Sequence, residues 1–558
     1  MKAILFLLFS TLLFSSTYDK IDDWDENATK PSYIEKNFNC SGMIKSVQSM
    51  AMPAPMMAKR RLGFSVGGAK DSDNFYENIK KGYLPKISSI TYEGVFYDHY
   101  FKLPRQECKE LFCPSYETAV RKNPFSEEKE YYVAVGLDSN LDANSFKRRK
   151  LNLVVVLDIS GSMGSRFDRY YYDGGVKKEA EGKKTKMQIA NQSIVNMMAH
   201  LKDEDSFGVV LFDNDAYLAK PLREIKYTDM NAIKSHVLEL RPRGGTNWSS
   251  GYKKGLDLFK EIDKSAENRI IFITDAMPNR GELRKDRLFG MVKEASKRGI
   301  YTTFIGVGVD FNSDLVEYIS KTRGANYYSV HSNKEFKKRL DDEFDYMVTP
   351  LVFDLKLKLS SNNFEIEKVF GAPKAKEHTG EILEVDTLFP SSSKDKKVKG
   401  GVILVKLKKI GSGKNLELKV SYKDRDGKNY SNSKKVSFKD GEYFAGSGVR
   451  KAVILSDFVS LMKNFLVDAR KSCNDRVNFP FKPYPMLKKR CLIPPVLPDH
   501  ISSTWERKSC KLEVSDGYKK LFYIFFKRFD MSLKKESEIL KTLIGNKKTI
   551  LDDWNFIK

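Results

Sequence analysis

The apolar positions of this chain fall into two rhythms. Between about residues 150 and 345, short unbroken apolar runs alternate with stretches in which apolar residues recur every three or four positions. Residues 153–157 (LVVVL) and 270–273 (IIFI) have the length and β-branching of strands buried on both faces, and 207–212, 300–309 and 326–330 add three more. Met187, Ala190, Ile194, Met197, Met198 and Leu201 mark one face of a helix, and 230–240, 250–262 and 335–346 read as further helices. Strands alternating with helices predict an α/β unit over 147–348, built on a doubly wound, mostly parallel sheet. Beyond Pro350 the period changes to two: Phe353, Leu355, Leu357 and Leu359 alternate with Asp354, Lys356 and Lys358. The same pattern returns over 401–407, 416–422 and 434–438, which predicts a flanking antiparallel, sandwich-like β domain over 349–445.

The flanks are more mixed. Residues 63–146 read as an N-terminal accessory domain with a helix at 73–82, an aromatic-rich stretch at 87–101 and a strand at 130–137. The pattern leaves open whether that strand stays there or joins the 349–445 sheet, which would make the α/β unit an insertion. Residues 446–558 read as a helical C-terminal region: an amphipathic helix over 448–470, a Pro-rich, disulfide-tethered stretch over 473–509, and a Lys-rich helical run over 518–543. Residues 18–62 read as a linker, with Met, Pro and Ala concentrated at 50–57.

The candidate chemistry sits where the buried runs end. Asp158 closes the first run, and Ser160 and Ser162 follow at alternate positions, so one tight turn can aim all three at one spot. Thr246 lies in the Gly-rich turn Arg243-Gly244-Gly245-Thr246-Asn247, and Asp275 closes the 270–273 run. Two parallel strands that each end in Asp bring both acids to the carboxyl edge of one sheet, where open α/β sheets bind ligands. Carboxylates and hydroxyls are hard oxygen donors, suited to Mg²⁺, Mn²⁺ or Ca²⁺ rather than zinc. A capped helix following a strand would use the same Asp and Ser residues without a metal.

These five positions resemble the metal-ion-dependent adhesion site of the von Willebrand factor type A domain: D-x-S-x-S, then Thr in a Gly-rich turn, then Asp after a strand. The resemblance implies a Rossmann-like fold and a bound divalent ion. By that resemblance Asp158, Ser160 and Ser162 position the ion, Thr246 coordinates it when ligand is bound, and Asp275 acts directly or through water. An ion touched by few protein charges stays electron-poor and accepts an Asp or Glu from a partner. The stretch from 87 to 101 is similar to a short domain found ahead of the A domain in a group of bacterial secreted proteins. Between Gly164 and Thr185 the chain carries more residues than a turn into the next helix needs, including Arg166, Phe167, Arg169, Tyr170, Tyr171 and Tyr172. Arg and aromatic residues make binding hot spots, so this stretch is either a ligand-selecting loop or a plain surface loop.

Composition narrows the function classes. The 558 residues carry 97 Lys and Arg against 73 Asp and Glu, a net charge of +24. Much of the excess is Lys scattered among Glu and Asp, which reads first as a solvated surface and second as a face for an anionic envelope surface, whereas no specific nucleic-acid motif stands out. An apolar run over 3–14 behind Lys2 reads as a signal peptide ending near residue 17, and no later run is long enough for a transmembrane segment. The expectation is an exported protein, periplasmic or extracellular, soluble or peripherally attached. Cys40, Cys108, Cys113, Cys473, Cys491 and Cys510 then read as disulfide cysteines, with Cys108–Cys113 and Cys473–Cys491 as the pairings the spacing suggests. The six His residues are scattered and no H-E-x-x-H, G-x-S-x-G or P-loop motif is present. The reading is therefore a metal-dependent protein-binding module of the adhesion type rather than an enzyme. The alternatives are an envelope assembly factor using the same site and, behind it, a metal-dependent hydrolase.

Overall fold

The 151–158 run forms the strand Leu151–Asp158, every residue of which is buried. In the computed structural model it is a central strand of a seven-stranded sheet, between Glu267–Thr274 on one side and Ser206–Phe212 on the other. The described residues are 20–29, 63–69, 72–104, 112–123, 126, 128–139, 146–173, 184–275, 277–330, 340, 343–372, 382–391, 393–394, 397–424, 427–476, 505–530 and 532–545. Beyond Glu267–Thr274 the sheet continues through Ile300–Val307, Asn326–Val330 and the short Gly68–Ala69, all parallel. Beyond Ser206–Phe212 it ends with Ala216–Glu224, which runs antiparallel. The chain thus leaves Leu151–Asp158 toward one side and later builds the other side from Glu267–Thr274, so the strand order reverses between these two strands.

Alternation assigns the layers. Leu153, Val155 and Leu157 face a core shared with Met187, Ala190 and Ile194 of helix Lys186–Met198 and with Ile233 and Val237 of Met230–Glu239. Val154 and Val156 face the opposite core, with Trp248 and Tyr252 of Trp248–Asp257, Leu288 and Val292 of Lys285–Lys297, and Leu315 of Ser313–Ile319. Each such buried aliphatic side chain stabilises the fold by roughly 1.5–3 kcal/mol relative to exposure. The architecture is the expected α/β class, with helices on both faces of a mostly parallel sheet.

Two five-stranded antiparallel sheets lie beside it. One orders Gly63–Val66, Ile382–Ser391, Val352–Ser360, Asn415–Lys423 and Asn429–Ser437. The other orders Phe364–Phe370, Val402–Lys409, Lys129–Ser139, Phe112–Lys122 and Tyr443–Phe444. They share one apolar core that includes Val133, Val135, Leu357, Val405 and Leu418. Lys129–Ser139 pairs with Val402–Lys409, so strands from before and after the α/β unit share one sheet. The outer face of that second sheet is covered by helices Asp73–Lys80, Ser447–Ala469, Asp516–Lys527 and Lys534–Ile544, which pack around Tyr132, Leu404 and Phe458.

Several local expectations change. The helix expected over 250–262 is Trp248–Asp257, because the Asn247 side chain accepts from the Ser250 N–H and starts it earlier. The helical run over 518–543 is two helices, Asp516–Lys527 and Lys534–Ile544, whose apolar faces meet the same core. Residues 20–29, within the stretch read as linker, pack on the α/β unit: Ile21 bridges to Thr228, and Trp24 stacks on His236 with ring centroids 5.4 Å apart. The expected Cys473–Cys491 pairing is corrected, since Cys473 is bonded to Cys510, with Cα atoms 5.9 Å apart. Cys510 is brought there by the backbone bond from Leu84 N–H to its carbonyl, a contact that no spacing rule encodes. Cys113 is disulfide-bonded; Cys108, Cys40, Cys491, the signal stretch and the Met-rich stretch at 50–57 lie outside the described residues. Among the described residues no helix is long and apolar enough to cross a membrane.

Candidate functional site

The strand-order reversal opens the carboxyl edge of the sheet between Leu151–Asp158 and Glu267–Thr274, and the candidate residues converge there. Asp158 is wholly buried. Its Oδ1 accepts from the Ser160 N–H at 2.8 Å, which shapes the turn, and its Oδ2 accepts from the Thr274 hydroxyl on the neighbouring strand at 2.6 Å. The turn sets the Ser160 and Ser162 hydroxyl oxygens 3.1 Å apart. The Gly-rich turn docks onto it: Gly161 N–H donates to the Gly244 carbonyl at 3.0 Å and Arg243 N–H to the Ile159 carbonyl. Gly244 has φ +68°, and a Cβ there would lie 3.1 Å from the Asp213 side chain, so glycine is what lets this turn approach. Thr246 follows, 2% exposed, with its N–H donating to Asn279 Oδ1 at 2.8 Å.

Asp275 completes the group and is also wholly buried. Its Oδ2 accepts from Lys186 Nζ at 2.9 Å, while its Oδ1 has no hydrogen-bond partner. Lys186, the first residue of helix Lys186–Met198, is itself wholly buried. Its Nζ also lies 2.6 Å from Asp310 Oδ1, a charge contact without hydrogen-bond alignment. Asp310 Oδ2 accepts from the Tyr171 N–H at 3.1 Å. Burial, and then the charge of Asp275, push the Asp158 carboxyl up to about 7 against the bonds from Ser160 and Thr274. Burial likewise lifts Asp310 to about 6, with Asp275 adding to the rise and Lys186 opposing it. Burial presses the Lys186 ammonium down, but the two carboxylates win and raise it above its ordinary value.

The strand ends gather more acid than base. Three buried carboxylates, Asp158, Asp275 and Asp310, face one buried ammonium, Lys186, which leaves two negative charges when all are ionised. Buried charge without a counter-charge is costly, and an orphaned buried acceptor such as Asp275 Oδ1 asks for a partner. A divalent cation met by Asp158, Asp275 and the hydroxyls of Ser160, Ser162 and Thr246 fits both requirements. This donor set is two acids with three hydroxyls; among the described residues no group of three or more His, Cys, Asp or Glu is arranged to hold a metal.

Of the 164–185 stretch, residues 174–183 lie outside the described residues, and several of the others are tied inward. Arg166 pairs with Asp168 at 2.7 Å and bridges to Thr185, and the Phe167 carbonyl accepts from Val309 N–H at 2.9 Å. The Tyr170 hydroxyl donates to Asn78 Oδ1 at 2.9 Å, and its ring meets Tyr83 edge-on at 5.1 Å. The Tyr172 hydroxyl donates to Glu506. Arg169 and Tyr171 face solvent. Lys186, Asp310, Asn279 and Glu506 were not singled out from the sequence. Asp310 carried the same signal as Asp158 and Asp275, an acid closing a buried strand run, whereas Lys186 reads as an ordinary charged residue in a first helical turn.

Residues 153–278 match the family described as von Willebrand factor type A domain. Inter-alpha-trypsin inhibitor heavy chain H2 of Homo sapiens is 23% identical over 228 residues, covering 38% of this chain and 22% of that one. The uncharacterized protein YfbK of Escherichia coli (strain K12) is 24% identical over 213 residues, covering 38% of this chain and 34% of that one. The chain therefore spans only a fifth to a third of the length of these relatives. A solved structure, von Willebrand factor type A from Catenulispora acidiphila, aligns with a TM-score of 0.40 at 14% identity, covering 65% of this chain and 82% of that one. The matched stretch holds Asp158, Ser160, Ser162, Thr246 and Asp275, and over these residues the chain carries a von Willebrand factor type A domain.

Proposed function

We propose that this protein is an exported, divalent-metal-dependent binding module that captures an acidic residue of a protein partner at the edge formed by Asp158, Ser160, Ser162, Thr246 and Asp275. The observation that carries the reading is the gathering of three buried acids, Asp158, Asp275 and Asp310, around one buried ammonium, with Asp275 Oδ1 left without a hydrogen-bond partner. Mg²⁺ or Mn²⁺ takes about six oxygens and keeps some waters, so an ion on this donor set retains a position for an outside carboxylate. Binding is favoured over hydrolysis because the acids are committed: Asp158 to Ser160 and Thr274, Asp310 to Tyr171 and Lys186. That leaves Asp275 Oδ1, which this reading gives to the ion rather than to a general-base role. Export is supported by the apolar N-terminal run and by the Cys473–Cys510 bond, since such bonds persist in oxidising compartments. The α/β unit over 147–348 is the binding unit in this reading, and the exposed Arg169 and Tyr171 are the loop residues that would touch a partner.

The test is calorimetric titration of the full chain with Mg²⁺ and Mn²⁺, beside Asp158→Ala. Saturable, EDTA-reversible binding that the variant loses is the expected result. A wild-type protein that binds neither ion and whose thermal unfolding ignores both would overturn the reading.

A further inference from the structure

An acid from the far end of the chain reaches the same edge. Glu506 is 3% exposed, although it lies in a stretch without helix or strand. Its Oε1 accepts from Asn279 Nδ2 at 3.0 Å and from the Tyr172 hydroxyl. The same Asn279 amide accepts from the Thr246 N–H through Oδ1 at 2.8 Å, so a single side chain joins the Glu506 carboxylate to Thr246.

The neighbouring residues hold the segment across the edge. The Trp505 indole N–H donates to the Leu283 carbonyl at 2.9 Å, and the Trp505 carbonyl accepts from Asn312 Nδ2 at 2.9 Å. Asn312 in turn donates its backbone N–H to the Asp275 carbonyl at 3.1 Å. On the other side Ser509 N–H donates to Asp173 Oδ1 at 2.7 Å, Leu512 N–H donates to the Gly82 carbonyl at 2.8 Å, and Cys510 is bonded to Cys473. Residues 505–512 thus form a strap, anchored at both ends, whose buried acid is tied through Asn279 to the turn carrying Thr246 and whose Trp505 carbonyl is tied through Asn312 to Asp275.

We propose that Glu506 is the site's internal acid: the chain's own carboxylate takes the ligand position of the ion that a partner's Asp or Glu would occupy, and a partner binds by displacing it. This rests on the metal reading of Asp158, Ser160, Ser162, Thr246 and Asp275. The strap makes binding competitive, because a tethered acid is present at a high effective concentration that a free one must exceed.

The test uses the full chain and Mn²⁺ alone as probe, comparing wild type, Glu506→Gln and Asp158→Ala. Affinity is read by calorimetry and exchangeable water on the ion by proton relaxivity. Glu506→Gln is expected to weaken Mn²⁺ binding by about tenfold or more and to raise the relaxivity of the bound ion by about one water. Unchanged affinity and relaxivity in Glu506→Gln, with binding lost in Asp158→Ala, overturn the internal acid and leave the metal site standing. No binding in the wild type overturns both. If Glu506→Gln fails to fold in EDTA, Tyr172→Phe carries the comparison: it keeps the ring, removes the hydroxyl that holds Glu506, and must shift affinity and relaxivity in the same direction.

Discussion

The Lys186 ammonium lies 2.9 Å from Asp275 Oδ2, and both side chains are wholly buried. The same ammonium reaches Asp310, so one cation on the first turn of a helix holds together acids that follow two different strands. Removing one partner of a buried ion pair leaves a bare charge and typically costs 3–5 kcal/mol. Lys186→Met, nearly isosteric and neutral, is expected to lower unfolding stability in EDTA by about that amount. Mg²⁺ should then raise the melting temperature of the variant by more than it raises that of the wild type, because the ion becomes the nearest positive charge. Equal metal-dependent shifts in thermal melts of the two proteins would sink this account of Lys186.

Gly255 lies in Trp248–Asp257, and a Cβ there would fall 2.6 Å from Val156 Cγ2, two residues before Asp158. Alanine is the better helix former by about 1 kcal/mol, so propensity alone favours Gly255→Ala. The overlap with a packed strand argues the opposite, since overpacking a core costs about 1–3 kcal/mol. The variant is expected to be less stable than wild type in urea unfolding. A stabilised variant would mean that the helix can lift from the strand without penalty.

The Cys473–Cys510 bond spans a sequence separation of 37 residues and fastens the strap to the end of helix Ser447–Ala469. Closing a loop of that length in the unfolded chain is worth about 4 kcal/mol in the entropic account. The double variant Cys473→Ala, Cys510→Ala should lose stability of that order in denaturant unfolding, and reductant, which also opens the Cys113 bond, should cost the wild type at least as much. A variant as stable as the wild type would show that the helical layer is held by packing alone.

Glu536 is wholly buried, with its Oε1 accepting from the Tyr76 hydroxyl at 2.6 Å and lying 3.0 Å from His99 Nε2. Burial by itself raises this carboxyl, but the bond and charge of His99, together with the Tyr76 hydroxyl, outweigh it and hold the group below its ordinary 4.5. A carboxyl depressed in the folded state contributes stability above 4.5 and loses that contribution as pH falls through its folded value. Glu536→Gln should therefore be less stable than wild type by about 1–3 kcal/mol at neutral pH, with the gap closing as pH drops below 4.5. Denaturant melts at a series of pH values check this, and a gap that stays constant into acid contradicts the sign.

The five candidate positions can be picked out in the chain because each depends on local chemistry. An apolar β-branched run makes a buried strand, an acid at its end must emerge at the sheet edge, and Gly244 permits the turn that delivers Thr246. The alternation of strands and helices likewise determined the α/β class, and the period-two pattern determined that strands follow Pro350. What the tertiary structure alone decided are the partnerships over long separations. Nothing in the Thr185-Lys186-Met187 sequence distinguishes a buried lysine from a solvated one; only the closing of two strand ends around it does. The pairing of Lys129–Ser139 with Val402–Lys409, the choice of Cys510 over Cys491 and the arrival of Glu506 beside Asn279 belong to the same class. Side-chain periodicity specifies which face of an element is buried, but not which distant element covers it, and that choice is made by the packing of the whole chain.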